Sequence, residues 1–326
     1  MKTILVAVRL TEKHREYVRT KLDGLGNVLF FDEMDERALE AIADRIHIVL
    51  RYGGYKPFSD KVFSRMTRLE RVQLLCAGTD TIRRTPTIPE TVQACGAIGA
   101  NSVAVAEHAF ALMLSAAKRV VERNALMRQG VFDQREPTKC LEESALGVVG
   151  LGSIGTEIAR RAKAFGMTIY GINRRKHSDI PIDFVGDLGD LDHVLGESDF
   201  VILVLPLTDE TRHIVTKREL DLMKPDACLI NVGRGPLVNE ADLFEHLEAH
   251  PRFIAGLDVW WAYPQLNEEI WFFKSHPYNK PFHTLENVIL SPHCAALSGD
   301  YRMRMLRTAL DGIVRHLRNK DSKEVV

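Results

Sequence analysis

Residues 146–175 read LGVVGLGSIGTEIARRAKAFGMTIYGINRR. The apolar run 146–149 has the pattern of a buried strand. Gly150, Gly152 and Gly155 follow at G-x-G-x-x-G spacing. Ile158, Ala159, Ala162 and Phe165 then recur at helical period, with polar Glu157, Arg160, Arg161 and Lys163 between them. Gly166 stops that helix, and 168–172 reads as a second strand. Strand, glycine turn, helix and strand within about 30 residues form the frame of a dinucleotide-binding unit.

Each glycine has a physical task in that frame. Gly150 allows the tight turn out of the strand, and Gly152 lets the backbone approach a pyrophosphate. Gly155 lets the helix pack close to the sheet, while the unpaired N–H groups of the helix start face the phosphates. The end of the second strand selects the cofactor, because a carboxylate there would bond the ribose 2′-OH of NAD. The position carries Asn173, followed by Arg174, Arg175 and Lys176. No acid stands in this segment to repel a 2′-phosphate, and two guanidiniums can pair with one, so NADP is expected ahead of NAD.

The chain of 326 residues has room for two domains. With 45% apolar and 27% charged residues and a net charge of −1, it has no global basic field for nucleic acid or an anionic membrane. Five scattered cysteines without a C-x-x-C pair point to reduced thiols in a cytoplasmic setting, with neither zinc site nor disulfide frame. His246, His250, His276 and His283 show no ligand spacing, so no metal is expected. MKTILVAV is too short an apolar run for a signal peptide, and 103–117 is too short to span a bilayer.

Strands at 3–8, 28–31, 46–50 and 72–76 alternate with helices at 12–22, 36–43 and 59–66, which implies a parallel sheet. Asn101 reads as the N-cap of an apolar helix of about 18 residues. Residues 124–143 are polar and read as an extended arm. Strands at 200–205, 227–232, 253–257 and 288–290 follow the glycine unit, with helices at 188–195, 217–223, 239–250 and 300–318. In open parallel sheets ligands sit beyond the carboxyl ends of the strands. Those ends carry Gly53-Gly54 and Ala77-Gly78 in the first half, and Arg234, Asp258 and His293 in the second.

Several ordered stretches share one resemblance: Ala77-Gly78-Thr79-Asp80, NSVAVAEH at 101–108, LGVVGLGSIG at 146–155, Leu205-Pro206-Leu207-Thr208 with Thr211, NVGRGPLV at 231–238, GLDV at 256–259, and Ser291-Pro292-His293. Over nearly its whole length the chain resembles the D-isomer-specific 2-hydroxyacid dehydrogenase family. That resemblance implies an α/β protein of two Rossmann-like, doubly wound parallel-sheet domains, the substrate domain being discontinuous. Residues 1–99 and 297–326 would form the substrate domain, and 100–296 the dinucleotide-binding domain. It implies a homodimer joined through the Asn101 helix and the following arm, acting on a small 2-keto or D-2-hydroxy acid such as glyoxylate or hydroxypyruvate.

The resemblance also implies roles. Arg234 would bind the substrate carboxylate and polarise its carbonyl, and protonated His293 would donate to the developing alkoxide. Tyr52, Ala77, Gly78 and Asn101 would contact the substrate. Gly150, Gly152, Ser153, Ile154, Gly155, Asn173, Arg174, Arg175, Leu205, Pro206, Thr211, Val232, Gly233, Asp258 and His293 would line the cofactor. One departure stands out: the family places a Glu beside the His, and here that slot holds Tyr263. A phenol can orient the ring but brings no charge, so His293 is expected to titrate lower than beside a carboxylate. Gln265 or Glu268 could take the place by a loop shift. A formate-type dehydrogenase of the same superfamily, or a dinucleotide-binding regulator without turnover, are the alternative readings.

Overall fold

The computed structural model describes residues 1–53, 58–78, 88–263 and 274–318. Among these, two compact units separate: residues 1–101 with 299–318, and residues 102–263 with 274–298.

In the first unit five parallel strands run in the order β2-β1-β3-β4-β5, namely Gly26–Phe30, Lys2–Val6, Ile46–Arg51, Arg71–Leu74 and Gln93–Cys95. The period of two in strand β1 divides its side chains between two cores. Ile4 and Val6 pack with the helices Glu12–Leu22 and Tyr301–Leu317, whereas Leu5 and Ala7 pack with Leu39, Val62 and Phe63. The chain thus returns from its far end to close this unit.

The second unit holds seven parallel strands in the order β12-β11-β10-β9-β6-β7-β8. These are Val288–Leu290, Ile254–Leu257, Cys228–Asn231, Phe200–Leu203, Ala145–Val149, Thr168–Ile172 and Phe184–Gly186. Val148 and Ile202 face the helices Ser102–Ala117 and Ser153–Ala164, while Val149, Val201 and Leu203 face the opposite layer with Leu220 and Leu243. The sheet is therefore covered on both faces, which is why its strands read as unbroken apolar runs. Strand order reverses between β6 and β9, the switch point at which such sheets bind ligands.

Two local expectations need correction, and two short strands go beyond them. Asn101 does not cap its helix: its buried Oδ1 has no hydrogen-bond partner, and the helix is Ser102–Ala117, 16 residues. The arm begins as a helix, Val120–Arg128, not as extended chain. Strands β5 and β8, three residues each, escape a reading by pattern because neither is long enough to show a period.

Gly155 shows how tightly the glycine unit is built. A Cβ placed there would lie 2.0 Å from the carbonyl oxygen of Gly150, so the helix could not keep its distance from the strand. Gly155→Ala is expected to lower the unfolding free energy by about 1–3 kcal/mol in urea titration. A variant as stable as the parent would refute this packing argument.

Candidate active site

Because all strands of the second sheet are parallel, their carboxyl ends share one edge. Val232, Gly233 and Arg234 follow β10, Asp258 follows β11, and Ser291, Pro292 and His293 follow β12. The loops there lie backbone against backbone. A Cβ on Gly235 would sit 2.2 Å from the Trp260 carbonyl oxygen, and one on Gly150, at φ +118°, 3.0 Å from the Val204 carbonyl carbon. Asn231 braces the Arg234 turn from within. Its Oδ1 accepts from the Gly233 N–H at 3.1 Å, and its Nδ2 donates to the Arg234 carbonyl at 2.9 Å. Half-buried Arg234 donates from Nη1 to the Gly233 carbonyl at 2.8 Å.

Asp258 is 1% exposed and turned inward. Its carboxylate accepts from the Ser291 hydroxyl, from the Cys294 N–H at 2.9 Å and from the Ala295 N–H at 3.0 Å. His108 Nε2, from the Ser102–Ala117 helix, lies 3.4 Å from Oδ1 and 2.9 Å from Ser291 Oγ. Burial works to raise the pKa of this carboxyl, but the bonds from His108, Ser291 and the two N–H groups prevail and hold it below the usual carboxylate range. Its oxygens are taken up by the loop that carries His293.

That loop is strained at one residue. His293 has φ +56°, a left-handed conformation that costs a residue with a Cβ about 1–2 kcal/mol. The residue is exposed as a whole, yet desolvation of its ring holds the pKa below the ordinary histidine value; Asp258 acts to raise it and Arg234 to lower it. Tyr263 packs its ring on His293 with centroids 5.3 Å apart at 47°. The phenol oxygen accepts from the Trp260 N–H at 3.0 Å, so the contact with His293 is ring to ring rather than a hydrogen bond. Burial pushes the phenol pKa to about 12, against the Trp260 N–H and Arg234, which lower it; the group at this slot stays neutral. Gln265 and Glu268 lie outside the described residues, as do Gly54, Thr79 and Asp80.

The glycine turn fits a dinucleotide. A Cβ on Gly152 would meet nothing within 4 Å, so open space lies against bare backbone at the start of the Ser153–Ala164 helix. Beyond β7, Arg174 and Arg175 are exposed, while Lys176 pairs with Asp187 and Asp190, each at 3.1 Å. The fold thus brings two carboxylates near a turn that carries none in its own sequence. Asn173 donates from Nδ2 to the His177 carbonyl at 2.7 Å and shapes this turn. Thr211, expected on the cofactor, is 6% exposed, and its hydroxyl donates to the Pro206 carbonyl at 2.7 Å; it stiffens the loop after β9.

His108, Asp258 and Cys294 bring one ligand-type atom each within 4.8 Å of one another. Ser291 Oγ stands among them, within hydrogen-bond distance of all three. Shared protons account for the closeness. His246 and His250 stack at 4.1 Å, as do His276 and His283.

Residues 110–295 match the family described as D-isomer specific 2-hydroxyacid dehydrogenase, NAD binding domain. The chain belongs to that family. It is 32% identical to a D-3-phosphoglycerate dehydrogenase of Methanocaldococcus jannaschii, over 99% of this chain and 59% of that protein, so it spans about three fifths of the relative's length. It is 33% identical to a glyoxylate reductase of Korarchaeum cryptofilum, over 79% of this chain and 76% of the other. Among solved structures, a D-isomer specific 2-hydroxyacid dehydrogenase family protein from Aeromonas salmonicida superposes with a TM-score of 0.81 at 24% identity, over 100% of this chain and 98% of that one; at this identity it speaks for the fold alone.

For a 2-hydroxyacid dehydrogenase chain, sequence reasoning missed His108 and Ser291. They are 183 positions apart, and no local pattern joins them. Trp260 and Trp261 follow Asp258 and Val259 in the chain. Trp260 donates to the Ser291 carbonyl at 2.9 Å, and Trp261 stacks on Phe282 at 5.2 Å, so both pack the unit's own core.

A carboxyl held below its usual pKa contributes stability that is present at neutral pH and disappears as pH falls through its folded value, below about 4. Asp258→Asn leaves buried donors unmatched. It is expected to cost about 1–3 kcal/mol at neutral pH and to flatten the fall in stability below about pH 4. Chemical denaturation at pH 3 to 7 reads both effects, and an unchanged acid limb would contradict the assignment.

Proposed function

We propose that this protein transfers a hydride between a nicotinamide cofactor and a small 2-keto or D-2-hydroxy acid, with NADP ahead of NAD. The observation that carries the reading is the common edge on which Arg234, Asp258 and His293 follow three adjacent strands of a glycine-motif sheet. Family membership and relatives named as glyoxylate and hydroxypyruvate reductases support the substrate class.

Arg234 would take the substrate carboxylate and carbonyl oxygen with its planar fork, neutralising charge and polarising the C=O. The Gly150–Gly155 turn would hold the pyrophosphate of the cofactor, whose nicotinamide would supply the hydride to C2 of the keto acid. His293, protonated, would give its proton to the oxygen as the alkoxide develops; in oxidation the neutral ring would take it back. Tyr263 would hold the ring by packing, without the charge that a Glu brings. Arg174 and Arg175 favour a 2′-phosphate. Tyr52, Ala77, Gly78 and Asn101 remain proposed substrate contacts, on the resemblance alone.

Turnover of glyoxylate, hydroxypyruvate and pyruvate with NADPH and NADH in parallel tests the assignment. NADPH binding without turnover of any of them would favour a regulator instead. His293→Asn should cut kcat about 10²–10⁴-fold and leave coenzyme binding intact. Because desolvation lowers its pKa, His293 should lose its proton below about pH 6.5, and reduction should fade above that point. A kcat profile for reduction still flat to pH 8 would sink this role.

We also propose a homodimer and a cytoplasmic setting. Val120, Val121, Met127 and Val131 lie exposed along the arm, with Phe132 74% exposed, an apolar row that the second unit does not cover. The five cysteines, with no disulfide among the described residues, suit a reducing compartment. Phe132→Asp with Val121→Asp is expected to halve the mass seen by light scattering; a parent already monomeric would remove the proposal.

A further inference from the structure

We propose that His108 and Ser291 are positioning residues for His293, acting through the Asp258 carboxylate. The inference deepens the reading above and rests on His293 as the proton-transfer group.

The direction of the hydrogen bonds can be derived. Asp258 is ionised and can only accept. The single proton of the Ser291 hydroxyl therefore points at Asp258. His108 Nε2 lies 2.9 Å from the same hydroxyl oxygen and must then donate to it. The chain runs one way, from His108 N–H to Ser291 O–H to the carboxylate, and it assigns His108 a proton on Nε2. Each bond polarises the next.

From Asp258 the order extends to the N–H groups of Cys294 and Ala295. One carboxylate thus grips the residue two before His293 and the two residues after it. Between those grips His293 holds its left-handed backbone, φ +56°. Trp260 fixes the Ser291 carbonyl at 2.9 Å, but it is His108 that ties the hydroxyl to the long Ser102–Ala117 helix. Without that tie the hydroxyl can rotate off the carboxylate, and Asp258 loses its side-chain donor on this loop while the Ser291 backbone stays bonded to Leu257 and Trp260.

The charges make the effect measurable. Among the described residues three groups act on His293: Asp258 raises its pKa, Arg234 lowers it, and Tyr263 packs against it as a neutral ring. Asp258 is thus the acidic group that favours the imidazolium in a site whose neighbouring slot holds a phenol. A loop that drifts from Asp258 leaves His293 easier to deprotonate.

The test is a proton-NMR titration of the His293 ring in the full chain, its resonance assigned by its loss in His293→Asn. Ser291→Ala and His108→Leu are each expected to lower the midpoint by about half a pH unit or more and kcat by about tenfold, with KM changed less than about twofold. Ser291→Thr keeps the hydroxyl and His108→Gln keeps an amide N–H near Nε2, and both should restore midpoint and rate. Variants that melt earlier but keep the parent's midpoint would overturn the inference and leave a merely structural contact. If His108→Leu does not fold, the Ser291→Ala and Ser291→Thr pair decides alone. Should the parent reduce no 2-keto acid, the proposed function falls while the titration still judges this inference; should it turn over with every midpoint unchanged, the reverse holds.

Discussion

A single buried carboxylate organises the working edge of the second unit. Asp258 leaves strand β11 with 1% of its surface exposed, a position at which an unpaired charge would be very costly. It is tolerated because the serine that follows β12 and two backbone N–H groups beyond donate to it, while a helix histidine stands 3.4 Å from its Oδ1. The same convergence forces the chain between those donors into a tight turn. His293 occupies that turn with a backbone angle that a free loop would seldom adopt.

The parallel sheet explains why one carboxylate can reach so much. Adjacent parallel strands end on the same side, so the residues that follow β10, β11 and β12 are neighbours although they are far apart in the chain. Glycines then bring the loop backbones into contact, Gly235 against Trp260 and Gly150 against Val204, and leave little slack between them. Arg234 and His293 are set by this packing more than by direct bonds to each other. Each is close enough to Asp258 or Tyr263 for charge to matter, as the opposing influences on the His293 pKa show.

The tyrosine at position 263 changes the electrostatics rather than the architecture. It fills space beside the imidazole and anchors its own oxygen on the Trp260 N–H. A neutral phenol there leaves the balance at His293 to desolvation, Arg234 and Asp258, with desolvation the largest of the three. Tyr263 thereby transfers to Asp258 a task that a neighbouring Glu would otherwise share.

Local rules made the glycine unit and the alternation of strands and helices legible: a strand period, a helix period and glycine spacing act within a few residues. From the same rules came the placing of Arg234, Asp258 and His293 at strand ends. What those side chains do there was not legible. In the sequence Asp258 carries no sign of its partners, and only the arrival of Ser291, Cys294, Ala295 and His108 shows which groups its oxygens meet within the unit. Asp187 and Asp190 likewise reach Lys176 only through the fold. By itself the sequence determined two parallel-sheet units and the edge on which the chemistry would lie. The tertiary structure decided the protonation balance, because hydrogen bonding and desolvation depend on groups separated by as many as 183 positions and brought together only by packing.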